Sequence, residues 1–328
     1  MTGATGFIGS NLVRVLLARG YTVRALVRDG SNRKNIEGLD LDIVSGDLND
    51  ERLNFREAMR GCEAVFHTAA IYSFWTPDSR QVFETNVRGT ERLLVAAFEN
   101  GIGKVVYTST ESTVGMGEDG IGREEIVIDR AKLHGQYKRT KHLAETNVLE
   151  MWRDKGLPVV VVNPTMPIGA HDIKPTPTGQ VIVDFLNHRM PAYVNTGMNV
   201  VDVEDVAMGH VLALEKGRVG ERYILGNKNV SFREMLNVLE DVTGIKAPRF
   251  NMPLWVALGA ACTDEFVSGR VLRKSPRIQV AAVRAAAKRR YHDCAKAVRE
   301  LGLPQSPVEG AFAKAVQWFR DNGYVHGK

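Results

Sequence analysis

With 328 residues, 44% hydrophobic and 25% charged, the chain is long enough for one large α/β domain or a domain plus a smaller lobe, and its composition excludes a disordered, collagenous or disulfide-stapled protein. No apolar stretch reaches the roughly 18 residues of a spanning helix and no secretory signal is legible, so a cytoplasmic protein is expected. Net charge is +5, and Cys62, Cys262 and Cys294 form neither a C-x-x-C nor a His cluster at ligand spacing, which argues against disulfides and against a metal.

Gly3-Ala4-Thr5-Gly6-Phe7-Ile8-Gly9 has the spacing G-x-x-G-x-x-G and opens into an apolar-periodic helix at 11–19. Glycines there let the backbone approach a pyrophosphate held by N–H groups at the helix N-terminus, so Gly3, Thr5, Gly6, Phe7 and Ile8 are expected to bind a dinucleotide. Only Met1 and Thr2 precede Gly3, where the fold calls for a central strand of roughly 5 residues. The expectation is that upstream residues are missing, because an absent central strand would leave backbone groups of two neighbours unpaired.

Further on, candidate strands at 22–27, 41–45, 64–68, 104–108 and 159–163 alternate with candidate helices at 55–60, 82–100 and 137–155. This alternation predicts βαβ units in a Rossmann-like, doubly wound parallel sheet. The second strand ends in Leu26-Val27-Arg28-Asp29. Arg28, with Ser31 and Arg33, suits the 2′-phosphate of NADP, whereas Asp29 on the ribose would suit NAD; NADP is the favoured reading. Asp47 and Leu48 follow the third strand, where an adenine pocket would lie.

Tyr137 and Lys141 stand at i and i+4 on one helix face. A tyrosine is a poor base at neutral pH unless a cation stabilises its phenolate, and Lys141 could supply that field. Thr110, in Tyr107-Thr108-Ser109-Thr110-Glu111-Ser112 after an apolar strand, could hold a substrate oxygen. After Pro164 the pattern loosens into a Pro- and Gly-rich stretch. The expected division is a dinucleotide domain at 1–165, rejoined by 199–225, and an interleaved substrate lobe at 166–328. Arg270, Arg273, Lys274, Arg277, Arg284, Lys288, Arg289 and Arg290 crowd one stretch. A solvated helical face is the favoured reading, an anionic membrane surface the alternative, and nucleic acid is disfavoured for want of an aromatic RNA-binding motif.

The glycine loop, Ala64-Val65-Phe66-His67-Thr68-Ala69-Ala70, Asn86-Val87-Arg88-Gly89-Thr90 and the Thr110, Tyr137, Lys141 set together resemble the extended short-chain dehydrogenase/reductase family over nearly the whole chain. The resemblance implies that Thr110, Tyr137 and Lys141 form a catalytic triad, with Tyr137 as acid/base for hydride transfer, and that Thr68, Ala69, Ala70, Asn86 and Pro164 also border the cofactor. Thr110 stands where Ser is commoner. Within the family, segments 71–78, 163–169, 173–179 and 190–194 resemble hopanoid-associated sugar epimerases, which are similar to dihydroflavonol-4-reductases.

Tyr72, Trp75 and His134 fall where loops could cover the nicotinamide end. Glu111 resembles an acid of sugar-nucleotide dehydratases, but Ser112 follows where those enzymes carry Glu, so dehydration ranks below the other chemistries. Three readings remain: a sugar epimerase that retains its cofactor, an NADPH-dependent ketone reductase, and a dinucleotide-sensing scaffold. The hopanoid association adds an expectation of a lipid-linked or amphiphilic substrate at the inner face of a membrane. Analogy with relatives adds a homodimer built on helices 82–100 and 137–155.

Overall fold

The computed structural model describes residues 1–50, 52–72, 78–133, 135–271, 280, 283–284, 287 and 289–326. In chain order it contains α1 (Phe7–Ala18), β1 (Arg24–Val27), β2 (Asp42–Ser45), α2 (Phe55–Ala58), β3 (Ala64–His67), α3 (Ser79–Phe83), α4 (Thr90–Glu99), β4 (Lys104–Thr108), β5 (Val114–Met116) and β6 (Ile121–Val127). Next come α5 (Gln136–Lys155), β7 (Val159–Pro164), β8 (Met166–Ile168), α6 (Pro177–Leu186), β9 (Gly197–Asp202), α7 (Val203–Lys216) and β10 (Arg222–Leu225). The chain continues through β11 (Lys228–Ser231), α8 (Phe232–Thr243), α9 (Leu254–Asp264), β12 (Tyr291–His292), α10 (Ala295–Leu301) and α11 (Val308–Asp321).

Strands β3, β4, β7 and β10 form a parallel sheet in the order β10-β7-β4-β3, and β1 pairs in parallel with β2. Four consecutive valines, Val159 to Val162, suit β7 because β-branched side chains pack well on a pleated surface covered on both faces. Leu12, Val13 and Leu16 of α1 pack with Val206 and Val211 of α7 in the core on one side. Leu93 and Leu94 of α4 pack with Ala144 and Val148 of α5 in the core on the other. This is the doubly wound α/β fold that the alternation predicts.

Met1 and Thr2 join the two parts of the sheet. Thr2 bridges in parallel to both Leu26 and His67. Leu26 N–H donates to the Met1 carbonyl at 2.9 Å, and Thr2 N–H to the Phe66 carbonyl at 3.0 Å. Thr2 Oγ1 also lies 2.7 Å from His67 Nδ1. The strand order reverses beside these bridges, and crevices at such a reversal, outside the carboxyl ends of the strands, are where doubly wound sheets bind ligands.

A smaller sheet, β11-β9-β8, carries α6, α8 and α11 over its own core, including Ile182, Leu236 and Phe312. Of segment 199–225, β10 joins the parallel sheet and α7 packs on α1, but β9 pairs with β8 and β11 instead. The helix expected at 82–100 begins earlier, at Ser79, and passes through a π-helical turn at Glu84–Gly89 before α4.

Candidate active site

The glycine loop leaves Thr2 and turns into α1. Gly3 has φ +75, a left-handed conformation that only glycine adopts without strain, and a Cβ there would stand 2.5 Å from Thr68 Oγ1. A Cβ on Gly9 would stand 2.0 Å from the Gly3 carbonyl oxygen, so the helix can come this close to the loop only with glycine. Gly6 is the N-cap and offers no side chain to the first-turn N–H groups, and that turn carries no acidic residue. The free donors and the helix dipole together form an electropositive cradle fitting a pyrophosphate. Thr5, Phe7 and Ile8 line this turn, half-buried. Asn35 steadies it, donating to the Thr5 carbonyl at 3.3 Å and to the His171 carbonyl at 2.8 Å.

Beside the loop, Thr68 Oγ1 donates to the Thr2 carbonyl at 2.8 Å and Ala69 N–H to Thr2 Oγ1 at 3.3 Å; Ala70 follows, half-buried. Buried Asn86, in the π turn, takes the Ile71 N–H at 2.8 Å and donates back to the Ile71 carbonyl and to Thr140 Oγ1, both at 3.2 Å. Asn86 therefore pins the 69–72 segment. At the end of β1 the Arg28 side chain is 61% exposed and 3.9 Å from Asp47. Asp29 instead accepts from Ser45 Oγ at 2.5 Å. Asp47 caps the Asn49 N–H at 2.8 Å, and Leu48 is buried. Pro164 closes β7 beside Leu225.

Tyr137 and Lys141 share the buried face of α5, and buried Thr110 caps the turn after β4. Burial raises the Tyr137 phenol well above its ordinary pKa, although a hydrogen bond with Thr110 works against the shift. Lys141 Nζ is directed at β4: it donates to Tyr107 Oη at 2.9 Å and to the Thr108 carbonyl at 2.7 Å. Burial lowers its pKa to about 7, with Glu145 opposing. The face expected from the i, i+4 spacing is there, but the ammonium reaches Tyr107 rather than the Tyr137 hydroxyl, and the phenol is held protonated.

Beneath Thr110 lies a buried polar network that local sequence patterns do not reveal. Glu145 of α5 accepts from Thr113 Oγ1 at 2.7 Å, Asn163 Nδ2 at 2.9 Å and Arg222 Nη1 at 3.0 Å. Asn163 Nδ2 also reaches the Thr110 carbonyl at 3.0 Å, so β7 and β10 lock the Thr110 turn against the helix that carries Tyr137. Glu145 repeats the face of Tyr137 and Lys141 at i+8 and i+4, the one signal that could have marked it.

A cleft of about 480 Å³ opens from Tyr137 toward the smaller sheet. Tyr72 packs its ring 4.7 Å from that of Tyr137. Glu111, also on the wall, accepts from Ser112 Oγ at 2.9 Å and pairs with Arg290 at 3.1 Å. Burial works to raise the Glu111 pKa, but Arg290, His292, Lys138 and Ser112 hold it below the usual carboxylate range. Burial and Arg290 depress Lys138 to about 8. Trp75, His134, Arg273, Lys274, Arg277 and Lys288 lie outside the described residues.

Known proteins agree with this architecture. The chain is 46% identical to a dihydroflavonol 4-reductase-like protein of Synechocystis, over 99% of this chain and 95% of that one. It is 36% identical to sterol demethylase protein B of Methylococcus capsulatus, over 99% of both. A nucleoside-diphosphate-sugar epimerase from Pseudomonas aeruginosa superposes with a TM-score of 0.80 at 26% identity, over 99% of this chain and 98% of that one. The profile of the NAD dependent epimerase/dehydratase family matches residues 1–226, and the chain belongs to that family.

Proposed function

We propose that this member of an oxidoreductase family is a net NADP(H)-dependent enzyme that interconverts a ketone and a secondary alcohol at Tyr137. The observation that carries the choice of cofactor is the exposed Arg28 guanidinium at the end of β1, held only by a long 3.9 Å ion pair with Asp47, with Asp29 engaged by Ser45. Arg28 suits a 2′-phosphate, while the acidic residue an NAD enzyme offers to the ribose is already occupied. The first-turn N–H groups of α1 hold the pyrophosphate, and Thr68, Ala69, Ala70 and Pro164 border the nicotinamide side. When bound, the dinucleotide supplies or accepts the hydride.

Tyr137 delivers its proton to the substrate oxygen as charge develops there, a role suited to a phenol held protonated by burial. Thr110 donates a second hydrogen bond to that oxygen. Lys141, through Tyr107 and the Thr108 carbonyl, fixes β4 against α5. Glu111 is ion-paired and ionised, a poor proton donor for water elimination, which disfavours a dehydratase. A second reading, epimerisation on a retained cofactor, draws on the structural likeness to a sugar epimerase.

The cofactor half comprises 1–165 with 203–225. Val95 and Phe98 of α4 and Leu143 of α5 are exposed on the two helices of the proposed homodimer interface. Helix α9 carries exposed Trp255, and Phe250 before it and Phe266 after it are exposed too, apolar surface suited to peripheral membrane contact. Among the described residues no helix is long and apolar enough to cross a membrane.

Equilibrium titration tests the cofactor choice. NADPH should bind at least tenfold more tightly than NADH, and Arg28→Ala should erase most of that preference, since a charge-assisted contact at an exposed site is worth about 1.5 kcal/mol. Equal or tighter NADH binding contradicts it.

A further inference from the structure

Resting on the reading of Tyr137 as the reacting end, the geometry points to a substrate with a large hydrocarbon skeleton and one oxygen function at the Tyr137 end, rather than a nucleotide sugar. Among the described residues, Glu111, Ser112 and Arg290 line the cleft together with Tyr137, and Thr178, Tyr193 and Thr196 add uncharged polar groups elsewhere on its wall. Beyond them the walls are Met166, Val181, Met198, Met235, Met252 and Ala257, drawn from α6, α8, α9, β8 and β9 and from the segment before α9. With Met190, five of the chain's ten methionines line this one cleft. Methionine is flexible and polarizable, and surfaces rich in it adapt to irregular apolar ligands.

A diphosphate would need cations or free N–H groups, and among the described residues the cleft has few to give. Arg290 is already paired with Glu111 at 3.1 Å, and Arg189 is exposed on the rim. The N-terminus of α6 borders the cleft, but it is unsuited to an anion. Pro177 removes one donor, the Thr176 side chain takes the Gly179 N–H at 3.1 Å, and Asp172 occupies the Thr176 N–H at 2.8 Å. Burying a doubly charged group against methionines without partners carries a large desolvation cost. An apolar ring system or chain gains from the same walls. The volume of about 480 Å³ falls within the range of ordinary small-molecule sites.

The test is equilibrium binding to the full chain saturated with NADPH, using androstenedione as a rigid apolar ketone, tridecan-2-one as a flexible one, and UDP-glucose. At least one ketone should bind in the micromolar range and UDP-glucose should not bind at millimolar concentration. Met235→Lys, in the wall, and Ala260→Arg, at an exposed position of the rim that tolerates a long side chain, should each weaken ketone binding tenfold or more while NADPH affinity stays unchanged. Tighter binding of UDP-glucose than of either ketone, no binding of either ketone, or ketone binding indifferent to both substitutions would overturn the inference. Binding is read without turnover, so a failure of the redox chemistry leaves this result standing, and the reverse.

Discussion

Strand β7 and helix α9 are both apolar along most of their length, yet every residue of β7 is buried, whereas α9 buries only Ala257 and Ala261 and leaves Trp255 75% exposed. In the cofactor half, helices cover both faces of the sheet, and burial serves rigidity: a glycine loop, a pinned 69–72 segment and a locked Thr110 turn. In the proposed substrate half, among the described residues, α9 packs on a satellite cluster of Ala257, Ala261 and Val283, and a cleft opens beside it. A helix that is apolar on all sides is normally buried. Here α9 lends Ala257 and Ala260 to the cleft and leaves Trp255 exposed, which the proposed substrate and membrane roles would explain. On the proposed reading, rigid positioning of charge and adaptable apolar binding are divided between the two halves.

The sharpest way to break this division is Tyr137→Phe. It should lower kcat by about 10²–10⁴-fold, the usual contribution of a positioned acid/base, with NADPH affinity unchanged. Unchanged turnover would remove the mechanism, and loss of NADPH binding would make Tyr137 structural. Next is Arg222→Ala, which strands the buried Glu145 carboxylate and should cost about 3 kcal/mol in denaturant unfolding, the low end for a buried pair because Arg222 keeps some exposure. The same variant should slow turnover by loosening the Thr110 turn, even under conditions where it is fully folded.

Acid titration separates the halves further. Burial lowers His67 to about 3 and His210 to about 4, from 6.5, and both belong to the cofactor half. Because the folded values are the lower ones, the unfolded chain takes up protons first. Stability is therefore full above about pH 6.5 and is lost as pH falls, by about 2 kcal/mol for each histidine at pH 5. Melting temperature should drop over that window, and less so in His67→Gln. A flat profile would mean that neither ring is buried neutral. The smallest expected effect is Trp255→Ser, which should leave stability within about 0.5 kcal/mol while reducing co-sedimentation with anionic vesicles. Sedimentation equal to that of the unsubstituted protein would remove the membrane role of α9.

Much of the cofactor half was legible because its signals are local. The apolar run at 104–108 is a strand over the residues expected and α5 begins one residue before the expected 137, whereas α1 starts at Phe7, inside the glycine loop and four residues before the expected 11. Met1 and Thr2 were harder to read because two residues have no period. They still bridge both neighbours, the Met1 carbonyl accepting from Leu26 and the Thr2 N–H donating to Phe66. The direction of Lys141 was not legible either: helical spacing fixes a face, but Tyr107, from another strand, decides where the ammonium goes. Contacts such as Glu145 with Arg222, 77 residues apart, and Glu111 with Arg290, 179 apart, carry no sequence signature. The cleft is illegible for the same reason, since its methionines arrive from separate elements and each alone reads as core.

The central claim, net oxidoreduction at Tyr137, is tested most directly by counting NADPH consumed against product formed when the purified protein acts on an apolar ketone that it binds. The account predicts one NADPH oxidised per alcohol released, with both falling together in Tyr137→Phe. A stereoisomer of the starting compound formed with no net change in NADPH, by protein that retains stoichiometric NAD through purification, would contradict it.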